Sequence, residues 1–380
     1  MKKNIQIAAP FIDEQELEAI KKSLLSGWLT QGPCVADFQK EFAKRHGVRY
    51  AVATSNCTTA LHLALVALGI GPGDEVIIPS FTWISTANVV EYVGARPVFC
   101  DVNRDTYNMS VKSVETLINE RTKAIIPVHL FGLCADMEPL LAVCRQHGLS
   151  VIEDAACAVG ASIRGKMAGS FSDIGCFSFH PRKIVTTGEG GMCVTNHDAL
   201  AKKLVALRNH GASVSEEKRF EGNRPYVMPE FDTLGYNYRM TDFQGALGKS
   251  QLSRLDFFIE ERRKWADWYR KELKDLKWLI TPVVAKGFGH SYQSFVCYID
   301  EDKTPLSRDQ ILEKLHLNGV GARPGTIAIH MQNYYARKYN IKIDSLPISK
   351  DCALHSLAIP LHNRMSMDDY HYVVSILKGI

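Results

Sequence analysis

At 380 residues the chain exceeds one typical domain, and 46% apolar with 23% charged residues are ordinary values for a protein with a full core. A formal net charge of +4, with Lys and Arg clustered on no single segment, excludes a nucleic-acid-binding stripe and favours small anionic ligands. The 10 cysteines are scattered singly, which excludes a zinc centre and a disulfide framework, and no stretch approaches the ~20 apolar residues of a membrane span, so a soluble cytoplasmic protein with no bound metal is expected.

An amphipathic run predicts a first helix from about Asp13 to Leu25, capped by Asp13. "SGWLTQGP" breaks it, and a second helix, "VADFQKEFAKRHG", stops at Gly47. Strands and helices then alternate. "YAVATS", "DEVIIPS", "RPVFCDV", "AIIPVHLFG" and "SVIEDAA" read as strands, with "TTALHLALVALG", "STANVVEYVG", "SVETLIN" and "MEPLLAVCRQHG" as the helices between them. "IGCFSF" and "GMCVTN" add two more strands. Several are continuous apolar runs, the mark of a mainly parallel sheet covered on both faces. Beyond Asn196 the alternation stops. "DALAKKLVALRNHG" is a helix, and the run from "YRMTDF" to "RKELKDL" reads as one long helix. "SYQSFVCYID" is a strand, and "SRDQILEKLHLNG" and "MDDYHYVVSILKGI" are helices. The expected organisation is an N-terminal segment plus a large α/β domain over residues 1–254, then a smaller α+β domain over 255–380.

Two glycine-rich stretches are discounted as phosphate loops. "GIGPGDE" precedes a strand instead of following one, and "GALGKS" carries Phe243 where the first glycine belongs and sits inside a helix. Other stretches carry more chemistry. Lys183, in "FSFHPRKIVTTGEGGM", is a strongly hydrated amine placed between two buried strands. Thr58 and Thr59 open a helix directly after a strand, where backbone N–H groups and hydroxyls form an anion site; an ordinary N-cap is the plain alternative. Asp154 ends a buried strand beside Glu153, and an unpartnered carboxylate there is costly. Trp83 follows a strand at the sheet edge, and "GYNYRMTD" brings Asn237 and Arg239 ahead of a helix. Thr58, Trp83, Asp154 and Lys183 all fall at strand ends, whose loops converge on the ligand crevice of an open α/β sheet. An anion cradle, a flat aromatic, a buried carboxylate and a lysine together suit pyridoxal phosphate.

At these residues the chain resembles the nucleotide-sugar aminotransferases of the DegT/StrS type. The likeness runs through "GWLTQGP", "NCTTALHLAL", "GPGDEVIIPSFTWISTAN", "IEDAA", "GSFSDIGCFSFHPRKIVTTGEGGM", "GYNYRMTD" and "RPGTIAIHM", in that order. The resemblance implies a fold type I, pyridoxal phosphate-dependent transaminase acting as a homodimer with shared active sites. It implies that Lys183 bonds covalently to the cofactor and that Asp154 partners the ring nitrogen. Thr58, Thr59 and Ser178 match phosphate ligands, Trp83 the ring-stacking position, and Asn237 the residue sent by the neighbouring subunit. Trp28, Thr30, Arg239, Arg323 and His330 are the expected substrate contacts, with a nucleotide-linked keto-sugar and an amino-acid donor, glutamate, as partners. Three positions depart from the pattern. Cys157 stands where His, Gln or Glu is usual near the ring hydroxyl, Cys57 where glycine is common, and Gln293 where the strand often carries histidine. The alternatives are another keto substrate such as a small phosphorylated ketone, a related sugar dehydratase and a regulatory cofactor-binding protein. Lys183 speaks against the dehydratase, which replaces that lysine with histidine.

Overall fold

The computed structural model describes residues 3–214 and 226–380. Its centre is a seven-stranded sheet: β1 (Tyr50–Thr54), β2 (Glu75–Pro79), β3 (Arg96–Cys100), β4 (Thr122–Ile125), β5 (Ser150–Asp154), β6 (Ile174–Ser178) and β7 (Gly191–Thr195). The spatial order is β1-β7-β6-β5-β4-β2-β3. All neighbours are parallel except that β7 runs antiparallel to both β1 and β6. This is the mainly parallel α/β sheet that the apolar runs imply. The reversal of β7 follows from its short connection, because a parallel strand would need a long crossover.

Helices cover both faces. On one side α3 (Cys57–Ala67), α4 (Ser85–Tyr92) and α7 (Asp198–Arg208) bury Leu61, Leu63, Leu65, Val89 and Leu204 against Val76, Ile78, Ile152 and Ile174. On the other, α5 (Val111–Leu117) and α6 (Met137–His147) pack over Ile77, Ile125 and Val151, while α2 (Pro33–His46) packs Phe38 and Phe42 against Phe177 and Phe179. The first helix, α1 (Glu14–Leu25), carries the expected Asp13 cap and lies along α8 (Asp242–Ser253). Buried Glu16 is met there by Gln251 Nε2 at 3.0 Å and Ser250 Oγ at 3.2 Å.

Two expectations need correction. The long helix is two, α8 and α9 (Leu255–Leu273), which part at Arg254. That break lets the Arg254 guanidinium reach Asp13 at 2.7 Å and Glu16 at 3.3 Å. The strand "AIIPVHLFG" ends at Ile125, because Pro127 has no N–H for the ladder and the chain turns through Phe131 at φ 58°. The glycines of "GALGKS" serve helix packing instead of phosphate. A Cβ on Gly245 would lie 2.6 Å from the Val35 backbone nitrogen, and one on Gly248 2.6 Å from the Phe38 ring.

The C-terminal residues build a second cluster around a three-stranded antiparallel sheet: β8 (Leu279–Ile280), β9 (Phe295–Ile299) and β10 (Ser356–Ile359), in the order β8-β9-β10. Tyr269 and Leu273 of α9, Ile311 and Leu315 of α10 (Arg308–Leu317) and Tyr370, Val373 and Leu377 of the last helix (Met367–Lys378) bury against it. Ile5, near the other end of the chain, joins this cluster and bridges Val320. No helix among the described residues is long and apolar enough to cross a membrane.

Candidate active site

The C-terminal ends of the sheet strands and one edge of the C-terminal region enclose a cavity of about 470 Å³. Thr58, Trp83, Asp154, Cys157, Ser178 and Lys183 all line it, as do Arg323 and Gln293 from the C-terminal region. Residues more than a hundred positions apart therefore face one space, as the convergence of strand-end loops requires.

Lys183 is carried by a tight turn. Its backbone N–H donates to the His180 carbonyl at 2.8 Å, and Thr186 Oγ1 donates to the Phe179 carbonyl at 2.9 Å while accepting from Gly188 N at 3.0 Å. The threonines and glycines beside the lysine thus fix the loop. Half-buried, Lys183 Nζ donates to Cys157 Sγ at 3.1 Å, its only hydrogen bond among the described residues. A thiol is a weak acceptor, so the amine remains available for chemistry.

Asp154 lies at the carboxyl end of β5 and is sealed from bulk solvent. Thr86 Oγ1 donates to Oδ2 at 2.8 Å and Ala156 N to Oδ1 at 3.2 Å. Burial raises its pKa, and the bonds from Thr86 and Ala156 with the nearby Lys183 charge only partly offset that push. Among the described residues no cation contacts the carboxylate.

Helix α3 points its N-terminus at the cavity. Its cap is Asn56, whose Oδ1 accepts from Thr59 N at 2.9 Å. Thr58 lines the cavity, but Thr59 corrects the expectation. Its hydroxyl donates to the Asn56 carbonyl at 2.7 Å and lies 3.2 Å from Ser55 Oγ, inside the cap and away from the cavity. Asn56 and Thr86 are the residues that sequence reasoning passed over. An Asn before a helix and a hydroxyl one residue into the next were the available signals. β7 passes close below, since a Cβ on Gly191 would lie 2.4 Å from the Asn56 backbone.

Several expected contacts lie elsewhere. His330 is fully buried between Ser80 Oγ, 2.6 Å from Nδ1, and the Ile343 carbonyl, 2.9 Å from Nε2, so its ring is spent on the fold. Trp28 packs over Gly32 and donates Nε1 to the Gln31 carbonyl at 2.9 Å, and neither it nor exposed Thr30 lines the cavity. Arg239 donates to Asn209 Oδ1 at 2.6 Å, and Asn237 is exposed on the strand-like bridge to Asn209; both sit outside this chain's cavity. Trp83 is 57% exposed, its ring uncovered at the cavity mouth. Gln293 Nε2 donates to the Arg182 carbonyl at 2.9 Å, tying the C-terminal region to the lysine loop.

Comparison with known proteins agrees with this geometry. The profile of the DegT/DnrJ/EryC1/StrS aminotransferase family matches residues 10–378. The chain is 42% identical over 378 residues to GDP-perosamine synthase of Caulobacter vibrioides, covering 99% of this chain and 98% of that one. It is 38% identical over 372 residues to the spore coat polysaccharide biosynthesis protein SpsC of Bacillus subtilis, covering 98% and 95%. Among solved structures, an aminotransferase from Psychrobacter cryohalolentis superposes with a TM-score of 0.93 at 32% identity, over 98% of this chain and 97% of that one. Helicobacter pylori PseC, an aminotransferase of pseudoaminic acid biosynthesis, superposes with a TM-score of 0.91 at 28% identity, over 99% of both chains. The chain is an enzyme, and it belongs to the DegT/DnrJ/EryC1/StrS aminotransferase family.

Proposed function

We propose that this aminotransferase moves an amino group from an amino acid, L-glutamate, onto a nucleotide-linked keto-deoxysugar in amino-sugar or polysaccharide biosynthesis, as a cytoplasmic homodimer. The family depends on pyridoxal phosphate. The observation that carries the reading is the pairing of Lys183 and Asp154 in one cavity: among the described residues, an amine held only by a thiol and a buried carboxylate with no cation in contact. That donor set fits the cofactor, whose cationic ring nitrogen supplies the charge that Asp154 lacks. The N-terminus of α3 with the Thr58 hydroxyl, and Ser178 at the end of β6, suit its phosphate. Trp83 is the flat surface for its ring.

When bound, pyridoxal phosphate supplies an electron sink for the carbon that gives up a proton. The chain's own groups do the rest. Lys183 Nζ anchors the cofactor, takes the proton from the donor's α-carbon and delivers one to the sugar carbon that receives nitrogen. Asp154 stays ionised and keeps the ring nitrogen protonated. Cys157, in contact with Lys183, offers only a thiol where stronger hydrogen-bonding groups are usual. Asn237 of the partner subunit completes the phosphate site, which accounts for an exposed "GYNYRMTD" loop outside this chain's own cavity.

Relatedness to GDP-perosamine synthase places a GDP-linked keto-sugar first among substrates to try. Purified holoenzyme incubated with glutamate and a panel of nucleotide-linked keto-sugars should yield a product heavier by about 1 Da, because an amino group and one hydrogen replace the carbonyl oxygen. Conversion of small phosphorylated ketones alone would reject the sugar assignment. The shared site has its own test. Inactive Lys183→Ala and Asn237→Ala chains, mixed and exchanged, should recover part of the activity, because some mixed dimers hold one intact site. Verified exchange without recovery rejects the partner's Asn237.

A further inference from the structure

Thr86 does not line the cavity, yet its side chain acts on a group that does. It is the second residue of α4 and fully buried. A threonine in a helix commonly returns its hydroxyl to a carbonyl of the preceding turn. Here the hydroxyl instead donates to Asp154 Oδ2 at 2.8 Å, across 68 positions of sequence. The Thr86 backbone N–H goes to the Trp83 carbonyl at 3.3 Å, so one residue joins the loop of the exposed ring to the buried carboxylate. Asp154 has its backbone held on both sides, by the Pro127 carbonyl at 2.9 Å and His129 N at 3.0 Å, but neither bond turns the side chain. That is left to Thr86 and to Ala156 N, 3.2 Å from Oδ1, and the shorter bond from Thr86 is the firmer hold. Lys183 on the turn after β6, His129 after β4, and the thiols of Cys57 on α3 and Cys176 on β6 are near enough to act on the carboxylate through space. Among the described residues none of these four is hydrogen-bonded to it.

A buried carboxylate and a pyridine nitrogen can share one proton in two ways. The proton sits on nitrogen, as an ion pair, or on oxygen, as a neutral pair. A dry site favours the neutral pair, because separated charges are costly there. A donor fixed on the carboxylate favours the ion pair, because an ionised oxygen accepts more strongly than a protonated one. Only the ion pair gives the ring its full electron-withdrawing power. The donor must also be neutral. A lysine or arginine in the place of Thr86 would hold the carboxylate ionised, but it would compete with the ring nitrogen for the same charge.

Resting on the transaminase reading and on Asp154 as partner of the ring nitrogen, we propose that Thr86 is a positioning residue for this reaction: its hydroxyl fixes the Asp154 carboxylate and keeps the proton shared with the cofactor on the ring nitrogen. A threonine that only filled buried space would leave that proton where it is.

The test compares Thr86→Val, which keeps the shape and removes the hydroxyl, with Thr86→Ser, which keeps the hydroxyl. Thr86→Ala removes it without β-branching and gives the same readings if the valine variant folds poorly. Nitrogen NMR of holoenzyme loaded with cofactor isotopically labelled at the ring nitrogen reports the proton directly. The parent and Thr86→Ser should show a protonated nitrogen at neutral pH, and Thr86→Val a shift toward the neutral form. Turnover of Thr86→Val should fall about 10- to 100-fold, the range for one hydrogen bond to a charged group, with KM for glutamate within about threefold. Thr86→Ser should recover most of that loss. Added to Asp154→Asn, Thr86→Val should cost no more than about a further twofold, because the hydroxyl then has no charge to serve. The cofactor-free protein gives a separate reading. Loss of the hydroxyl raises the folded Asp154 pKa further, so the added penalty is present above that folded value and disappears below the unfolded one. The stability gap between parent and Thr86→Val should therefore narrow as pH falls, and it should not vary with pH when Asp154 is already Asn. Three results overturn the proposal: an unmoved nitrogen signal in Thr86→Val, equal losses from Thr86→Val with and without Asp154, or a loss that Thr86→Ser does not recover. A ring nitrogen that stays protonated in Asp154→Asn itself overturns the Asp154 assignment, and with it this inference.

Discussion

Glu153 and Asp154 are neighbours on β5 with side chains on opposite faces of the sheet, and both are shut away from solvent. Glu153 accepts five hydrogen bonds. Oε1 takes Phe171 N at 2.8 Å, Ser172 N at 3.0 Å and Ser172 Oγ at 2.8 Å, while Oε2 takes Gly169 N at 2.7 Å and His129 Nε2 at 2.7 Å. Because His129 Nδ1 accepts from Ala135 N at 3.0 Å, the ring proton sits on Nε2 and is donated to the carboxylate. Burial alone would raise the Glu153 pKa, but the bonds from His129, Ser172 and Gly169 outweigh it and hold the group below the ordinary value. Asp154 accepts two hydrogen bonds, and burial wins. A saturated carboxylate ties a loop to the sheet. An unsaturated one, facing the cavity, waits for a charge from outside the chain.

The comparison can be broken in several ways. The largest effect belongs to Lys183, which shares the cavity with Asp154. Lys183→Ala should lose activity by several powers of ten, as removal of a covalent catalytic group does, and borohydride should no longer fix a cofactor-sized mass on the peptide holding residue 183. Retained labelling there would remove Lys183 from its role.

Next comes Asp154→Asn. Transamination should fall roughly 10²- to 10⁴-fold, the scale for losing a positioned charge, while cofactor still binds through Lys183 and the α3 N-terminus. The cofactor-free variant should be as stable as the parent or more so, within the ~1–3 kcal/mol that desolvating a polar group costs. A clear loss of stability would show that Asp154 is structural like its neighbour.

Glu153→Gln should do the reverse. Backbone N–H donors left facing an amide cost about 2–4 kcal/mol in denaturant unfolding, while turnover per folded molecule changes only a few-fold. A drop in turnover as large as that of Asp154→Asn would erase the distinction between the two.

The smallest effect is in pH dependence. The folded pKa of Glu153 lies below its unfolded value, so its stabilisation is present above the unfolded value and is lost as pH falls through the folded one. For Asp154 the folded pKa is the higher. Its penalty is present above that folded value and disappears below the unfolded one. Acid titration of the cofactor-free protein should therefore shrink the stability gap between parent and Glu153→Gln from above, and that between parent and Asp154→Asn from below. Parallel curves for both variants would contradict the assignment.

Much of this was legible in the chain. Apolar runs of strand length alternating with amphipathic helices determine a covered, mainly parallel sheet, because only that arrangement buries both faces of every strand. A lysine between two buried strands and acids at the end of another are expensive unless used, so Lys183 and Asp154 stood out before any contact was known. Family-specific runs such as "FSFHPRKIVTTGEGGM" narrowed the chemistry further. What local pattern could not supply was partnership across the sequence. Thr59 and His330 carry the right functional groups, but Asn56 and Ser80 consume them, and those hydrogen bonds exist only once α3 is capped and residues 80 and 330 meet. The break at Arg254 depends on Asp13 and Glu16, more than 230 residues away. Whether Glu153 or Asp154 is left short of donors depends on which face of β5 meets the 169–172 loop and which meets the cavity. Period and composition are local properties and reveal which groups are costly to bury; only the packed chain decides which of those costs it relieves from within and which it leaves for a ligand.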